Sequence, residues 1–124
     1  NILLIEDDPV AQIAQKATIE ALGHHVDTVM TGMQAIVSIS AKIYDIVLLD
    51  ISLPDMTGID ILRILRKNTS LDISVVVITA HASEDDIDLF MSEGAIAVLA
   101  KPVDQVQLKA CIDNFLESDT NDHN

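Results

Sequence analysis

The chain has very few aromatic residues. Trp is absent, and one Tyr with two Phe make up 2% of 124 residues. Any core must therefore be built from Ile, Leu, Val and Ala. Apolar residues reach 49% of the chain, enough for a globular domain and too many for a disordered one. A single cysteine, Cys111, excludes an intrachain disulfide and fits a reducing compartment. Cys111 lies in a helical apolar pattern and reads as packing. Basic residues are scarce: 7 Lys and Arg against 20 Asp and Glu leave a net charge of −13. That balance argues against direct binding to nucleic acid or an anionic membrane, and favours a positive partner surface or bound cations. No apolar run approaches the roughly 18–20 residues that span a bilayer, so no membrane contact is expected of this domain. No basic leader precedes the opening NILLIEDD, and the expected setting is cytoplasmic. The missing initiator Met reads as a piece trimmed from a longer chain. No G-x-G-x-x-G follows the first apolar run, which argues against a dinucleotide-binding module.

What is present is alternation. Five β-like runs occur at 2–5, 25–30, 45–49, 73–79 and 96–100, and three of them are nearly all apolar. Such runs suit strands covered on both faces, as in a parallel sheet. Helical patterns lie between them. After Asp8 and Pro9, residues Val10, Ile13, Ala14, Ala17 and Ala21 share one face, and Gly23 is the stop. Thr31 caps a second helix reaching about Ala41, and a third covers 58–67 with Ile59, Leu62 and Leu65 inward and Arg63, Arg66 and Lys67 near its end. Ser83 with Asp86 opens a fourth that Gly94 ends. Asp104 with Gln107 opens a fifth, with Leu108, Cys111, Ile112 and Phe115 inward. Residues 1–117 read as one domain and 118–124 as a polar tail or the start of a linker. The expectation is an α/β, flavodoxin-like (βα)5 three-layer sandwich with parallel strand order 2-1-3-4-5. Ligands then bind outside the carboxyl ends of strands 1 and 3.

Chemistry gathers at those ends. Strand 1 ends in Glu6, Asp7 and Asp8, strand 3 in Asp50, strand 4 in Thr79 and strand 5 in Lys101. Any one acid beside a helix start is an ordinary cap. Their joint placement at successive strand ends points further. Clustered carboxylates repel, and a hard divalent cation such as Mg²⁺ (or Mn²⁺) removes that penalty through oxygen ligands. Thr79 and Lys101 do nothing for a bare cation, but a hydroxyl and an ammonium suit phosphate oxygens. The set reads as phosphoryl transfer, with Asp50 as nucleophile toward phosphorus.

The segments ILLIEDD, YDIVLLDISLPDMTG, VVVITAHA and AVLAKP together resemble response-regulator receiver domains of two-component signalling, over 2–116. The resemblance implies Asp50 as phosphoacceptor and Glu6 with Asp7 as the acidic pair for Mg²⁺, Asp7 directly and Glu6 through water. It implies the Ser52 backbone carbonyl as a further metal ligand, Thr79 as the switch hydroxyl, Lys101 as its partner on the phosphoryl group, and a cis Lys101–Pro102 bond. Asp8 looks like the helix cap. Its implied partners are a histidine kinase or phosphotransfer domain and a downstream phosphotransfer protein. VMTGMQAI and LLDISLPDMTG resemble receivers built into hybrid histidine kinases. One departure stands out: the aromatic common three residues before the lysine is Val98 here. Without that ring, the loop 80–83 and the start of the fourth helix are expected to carry any switch, unless the domain is mainly a relay. His81 reads either as a solvated loop residue or as a control on water access.

Two other functions share some of these features. A haloacid-dehalogenase-type phosphatase also uses a strand-end Asp but needs an acid two residues on, where this chain has Ser52. A degenerate receiver serving only as an interaction module fits poorly with complete acid, Thr and Lys positions.

Overall fold

The computed structural model describes residues 1–68 and 73–121. Among these, strands and helices alternate: β1 Ile2–Ile5, α1 Pro9–Ala21, β2 Val26–Val29, α2 Gly32–Ala41, β3 Ile46–Asp50, α3 Gly58–Asn68, β4 Val75–Thr79, α4 Glu84–Ser92, β5 Ala97–Ala100 and α5 Gln105–Asn121. Every strand pairing is parallel, in the order β2-β1-β3-β4-β5. The expected architecture holds. Helix α5 continues through 118–121, residues read from sequence as tail; 122–124 lie outside the described residues, as does the Arg66 side chain.

The period of two along the strands splits the core. Leu3, Ile5, Val47, Leu49, Val75 and Val77 pack with residues of α2, α3 and α4. Ile2, Leu4, Ile46, Leu48, Val76 and Ile78 pack with Ile19 of α1 and with Leu108 and Ile112 of α5. A fully buried side chain of this kind contributes about 1.5–3 kcal/mol, so a nearly ring-free core is sufficient.

Helix starts follow the sequence signals. Asp8 accepts from the Val10 N–H at 3.0 Å, Thr31 from Gln34 at 3.1 Å, Ser83 from Asp86 at 3.2 Å and Asp104 from Gln107 at 2.7 Å. Gly23 and Gly94, at φ 93° and 110°, turn the chain after α1 and α4. The bond between Lys101 and Pro102 is cis.

Helix α1 departs from what an apolar stripe usually means. The face shared by Val10, Ile13, Ala14, Ala17 and Ala21 points to solvent, with Val10 76% and Ile13 69% exposed. The packed side carries Gln12, Gln15, Ile19 and Leu22 instead. The reason is polar. The Gln12 carboxamide donates to the carbonyls of Glu6 at 3.2 Å and Val29 at 3.3 Å, where β1 and β2 end. The Val29 carbonyl also accepts the Glu6 N–H at 3.1 Å, so Gln12 ties the ends of the two strands together as a second donor there, which an aliphatic side chain could not do.

The loop after β3 is closed by a tight contact at Gly58. A Cβ on Gly58 would lie 1.7 Å from Ile51 Cδ1 and 3.1 Å from its Cα. Gly58→Ala should therefore destabilise the fold by about 1–3 kcal/mol despite the better helix propensity of Ala. In urea unfolding, the Ile51→Ala/Gly58→Ala double variant should lose less than the sum of the two single losses. Strict additivity would show that the two residues do not compete for space.

Candidate functional site

The register sets the site. Ile5 of β1 lies opposite Leu49 and Asp50 of β3 opposite Ile78, so the next residues outward are Glu6, Ile51 and Thr79. Glu6, Asp7 and Asp50 each offer a carboxylate oxygen, all within 4.8 Å of one another. Lys101, following β5, places Nζ 3.0 Å from Asp50 Oδ1 and 3.7 Å from Glu6 Oε2. Its backbone N–H donates to the Thr79 carbonyl at 2.8 Å, so β4 helps set the height of the lysine.

These groups are dry. Glu6 is 0%, Asp50 1% and Thr79 2% exposed, while Lys101 is half-buried at the mouth. Two adjacent buried carboxylates cannot both hold a charge without help. Burial pushes the Glu6 carboxyl up to about 7, assisted by neighbouring Asp50. Burial also pushes Asp50 up, but the Ser52 N–H at 3.1 Å, the Glu6 carboxyl and Lys101 outweigh it and hold Asp50 below the usual range. Burial disfavours the Lys101 ammonium, and Asp50 more than restores it, leaving its pKa raised. Of the two acids, Glu6 is the one whose proton is held more tightly, and Asp50 is the one that carries negative charge against the lysine.

Of the residues singled out from sequence, Glu6, Asp7, Asp50 and Lys101 come together directly. Ser52 joins them through its N–H on Asp50. Asp8 does double duty: its side chain caps α1, and its N–H donates to Glu6 Oε1 at 3.1 Å. Thr79 turns to the following loop, where its hydroxyl donates to the His81 carbonyl at 3.2 Å and accepts the His81 N–H at 3.1 Å. Val98 is half-buried against the core beside α2, α3 and α4. Sequence reading missed Gln12, for the reason given above. It also missed Asp55, whose carboxylate accepts from the Gly32 N–H at 2.8 Å and the Met33 N–H at 3.1 Å. Nothing local marks that contact; an Asp after Pro54 looks like an ordinary turn residue.

A profile of the response regulator receiver domain matches residues 2–113. The aerobic respiration control sensor protein ArcB of Escherichia coli (strain K12) is 38% identical over 120 residues; that stretch is 95% of this chain and 15% of ArcB, so the chain spans a small part of that relative. The solved signal receiver domain of a putative LuxO repressor from Vibrio parahaemolyticus superposes with a TM-score of 0.90 at 30% identity, over 98% of this chain and 93% of that one. The receiver domain of sensor histidine kinase PA1611 from Pseudomonas aeruginosa PAO1, solved with magnesium coordinated in its active-site cleft, gives 0.84 at 31% identity, over 94% and 96%. Sequence profile, chain-long identity and shared topology agree: this chain belongs to the response regulator receiver domain family.

Proposed function

We propose that this domain accepts a phosphoryl group onto Asp50 from a phosphohistidine of a histidine kinase or phosphotransfer domain, with Mg²⁺ (or Mn²⁺) bound. The observation that carries this reading is the carboxylate trio of buried Glu6 and Asp50 with half-buried Asp7, and Lys101 held against Asp50. The residues fit a hard cation. Glu6 Oε2 and Asp50 Oδ2 are buried with no hydrogen-bond partner, and the donor set is all oxygen. Asp7, Asp50 and the Ser52 carbonyl would hold the ion, with Glu6 acting through water. When bound, it supplies positive charge that offsets the phosphoryl oxygens. The magnesium in the PA1611 cleft supports the same assignment.

The chain's own groups do the rest. Asp50 is ionised at neutral pH, so one of its oxygens can form the O–P bond while the P–N bond breaks and the imidazole nitrogen keeps the electron pair. The Lys101 ammonium and, once it leaves His81, the Thr79 hydroxyl donate to phosphoryl oxygens. The donor needs a surface beside the pocket. The apolar strip of α1 begins at Val10, directly after the acids, and suits an apolar helix of a four-helix donor bundle. The sensor relatives favour a receiver within a hybrid histidine kinase, passing the group to a downstream phosphotransfer protein in the cytoplasm. Residues 1–117 are then the working unit.

Acetyl phosphate with Mg²⁺ should label Asp50 alone, as mapped by mass spectrometry. A wild-type-level adduct in Asp50→Asn would refute the assignment. Ile13→Glu should slow transfer from a phosphohistidine donor at least roughly tenfold, the scale of a lost interface anchor, while labelling by acetyl phosphate stays unchanged. Equal slowing with both donors would place the fault in the pocket and not in docking.

The Glu6 proton gives a pH signature. Its folded pKa of about 7 lies above the ordinary carboxyl value of 4.5, so the folded state binds the proton more tightly than the unfolded state does. That stabilisation is complete below 4.5 and is lost as pH rises through 7. Stability to urea in EDTA should therefore fall over this window, and Glu6→Gln should flatten the trend. Mg²⁺ should bind more tightly as pH rises over the same range. A pH-independent Mg²⁺ affinity from 5 to 8 would contradict the protonated-Glu6 picture.

A further inference from the structure

The segment 51–57 leaves β3 at Asp50 and returns to α3 at Gly58. Its base is closed on the sheet. The Ile51 N–H donates to the Ile78 carbonyl at 3.1 Å, the Ser52 N–H donates to Asp50 at 3.1 Å, and Ser52 pairs across the loop with Thr57. Its tip is tied to a different element. The two carboxylate oxygens of Asp55 accept the Gly32 and Met33 N–H groups, one each, at 2.8 and 3.1 Å. Met56, the next residue, lies over Gly32 so closely that a Cβ there would sit 2.7 Å from its sulfur.

Helix α2 already has a cap of its own, since Thr31 takes the Gln34 N–H. The Gly32 and Met33 N–H groups, which that cap leaves over, go to an exposed carboxylate 23 and 22 positions away in sequence. It suits the positive end of the helix dipole, and the Gly32 N–H holds its carboxyl below the usual range. What the contact uniquely does is fix the tip of the loop whose base carries Ser52.

We propose that Asp55 is a positioning residue for the metal site: by tying the loop tip to α2, it fixes the direction of the Ser52 carbonyl. The inference rests on the reading above, in which that carbonyl is a metal ligand. A ligand oxygen on a loop held at both base and tip has less freedom to lose when the ion binds. Helix α2 then belongs to the site's support although none of its residues faces the acids.

The test is Mg²⁺ titration by calorimetry, paired with urea unfolding in EDTA, on the wild type, Asp55→Asn, Asp55→Ala and Asp60→Asn. Asp60 is an exposed acid in the first turn of α3, and its neutralisation controls for loss of one charge. Asp55→Ala should weaken Mg²⁺ binding by roughly tenfold, the usual scale for an outer-shell support. Asp55→Asn keeps one acceptor oxygen for Gly32, so its affinity should fall between wild type and Ala. Asp60→Asn should stay near wild type. Asp55→Asn and Asp55→Ala remove the same charge, so equal losses in the two would reduce the effect to electrostatics and overturn the proposal. Wild-type affinity in Asp55→Ala, with only its unfolding midpoint lowered, would overturn it as well and leave a purely structural tie. Failure of the wild type itself to bind Mg²⁺ would overturn the metal reading, and this inference with it.

Discussion

Everything at the working end of this domain depends on how a buried negative charge is tolerated at the end of β3. Asp50 is almost fully enclosed and has one oxygen without a hydrogen-bond partner. Its charge persists because Lys101 stands 3.0 Å away and because Glu6 takes up the proton that two adjacent acids must share. The lysine is placed by β5, Glu6 by β1 and Asp50 by β3. The parallel sheet serves as a rigid jig for one electrostatic balance. A shift of one residue in any register would move a charged group to the opposite face of the sheet and leave another unbalanced. The apolar strands do more than fill the core; they keep the carboxylates dry enough to be reactive.

Thr79 stands next to this balance but is committed elsewhere. The Thr79 hydroxyl is occupied by both the N–H and the carbonyl of His81. Delivering it to a new anion at Asp50 means giving up two contacts with the loop that leads into α4. Val98, lacking a ring, packs as an ordinary core side chain, so the loop has no large aromatic to move in concert with it. Threonine and loop form a short connection between the pocket and the capped start of α4.

Much of this was legible in the sequence, and the reasons are local. Runs such as IVLLD and VVVIT can only be strands covered on both faces, and five of them alternating with capped helices leave few topologies. The strand-end acids, threonine and lysine then come together because the order of strands brings them together. Two features were not legible. The exposed apolar strip of α1 looks identical in sequence to a buried one, while the side that packs carries Ile19 and Leu22 with Gln12, whose carboxamide donates to the Glu6 and Val29 carbonyls. The reach of Asp55 to α2 depends on three-dimensional proximity between segments far apart in the chain. Periodicity reports which residues share a face, not which way the face looks.

That strip has a consequence for how the molecule meets others before any contact is made. An apolar stripe open to water would by itself favour self-association as readily as partner binding. The chain carries a net charge of −13, so two copies approaching strip to strip repel over about one Debye length, roughly 8–10 Å at moderate salt. A bundle bearing lysines or arginines around its docking face is drawn in over the same distance. The adhesive surface itself does not choose between visitors. The net negative charge of the whole chain would do so, by sorting which ones arrive.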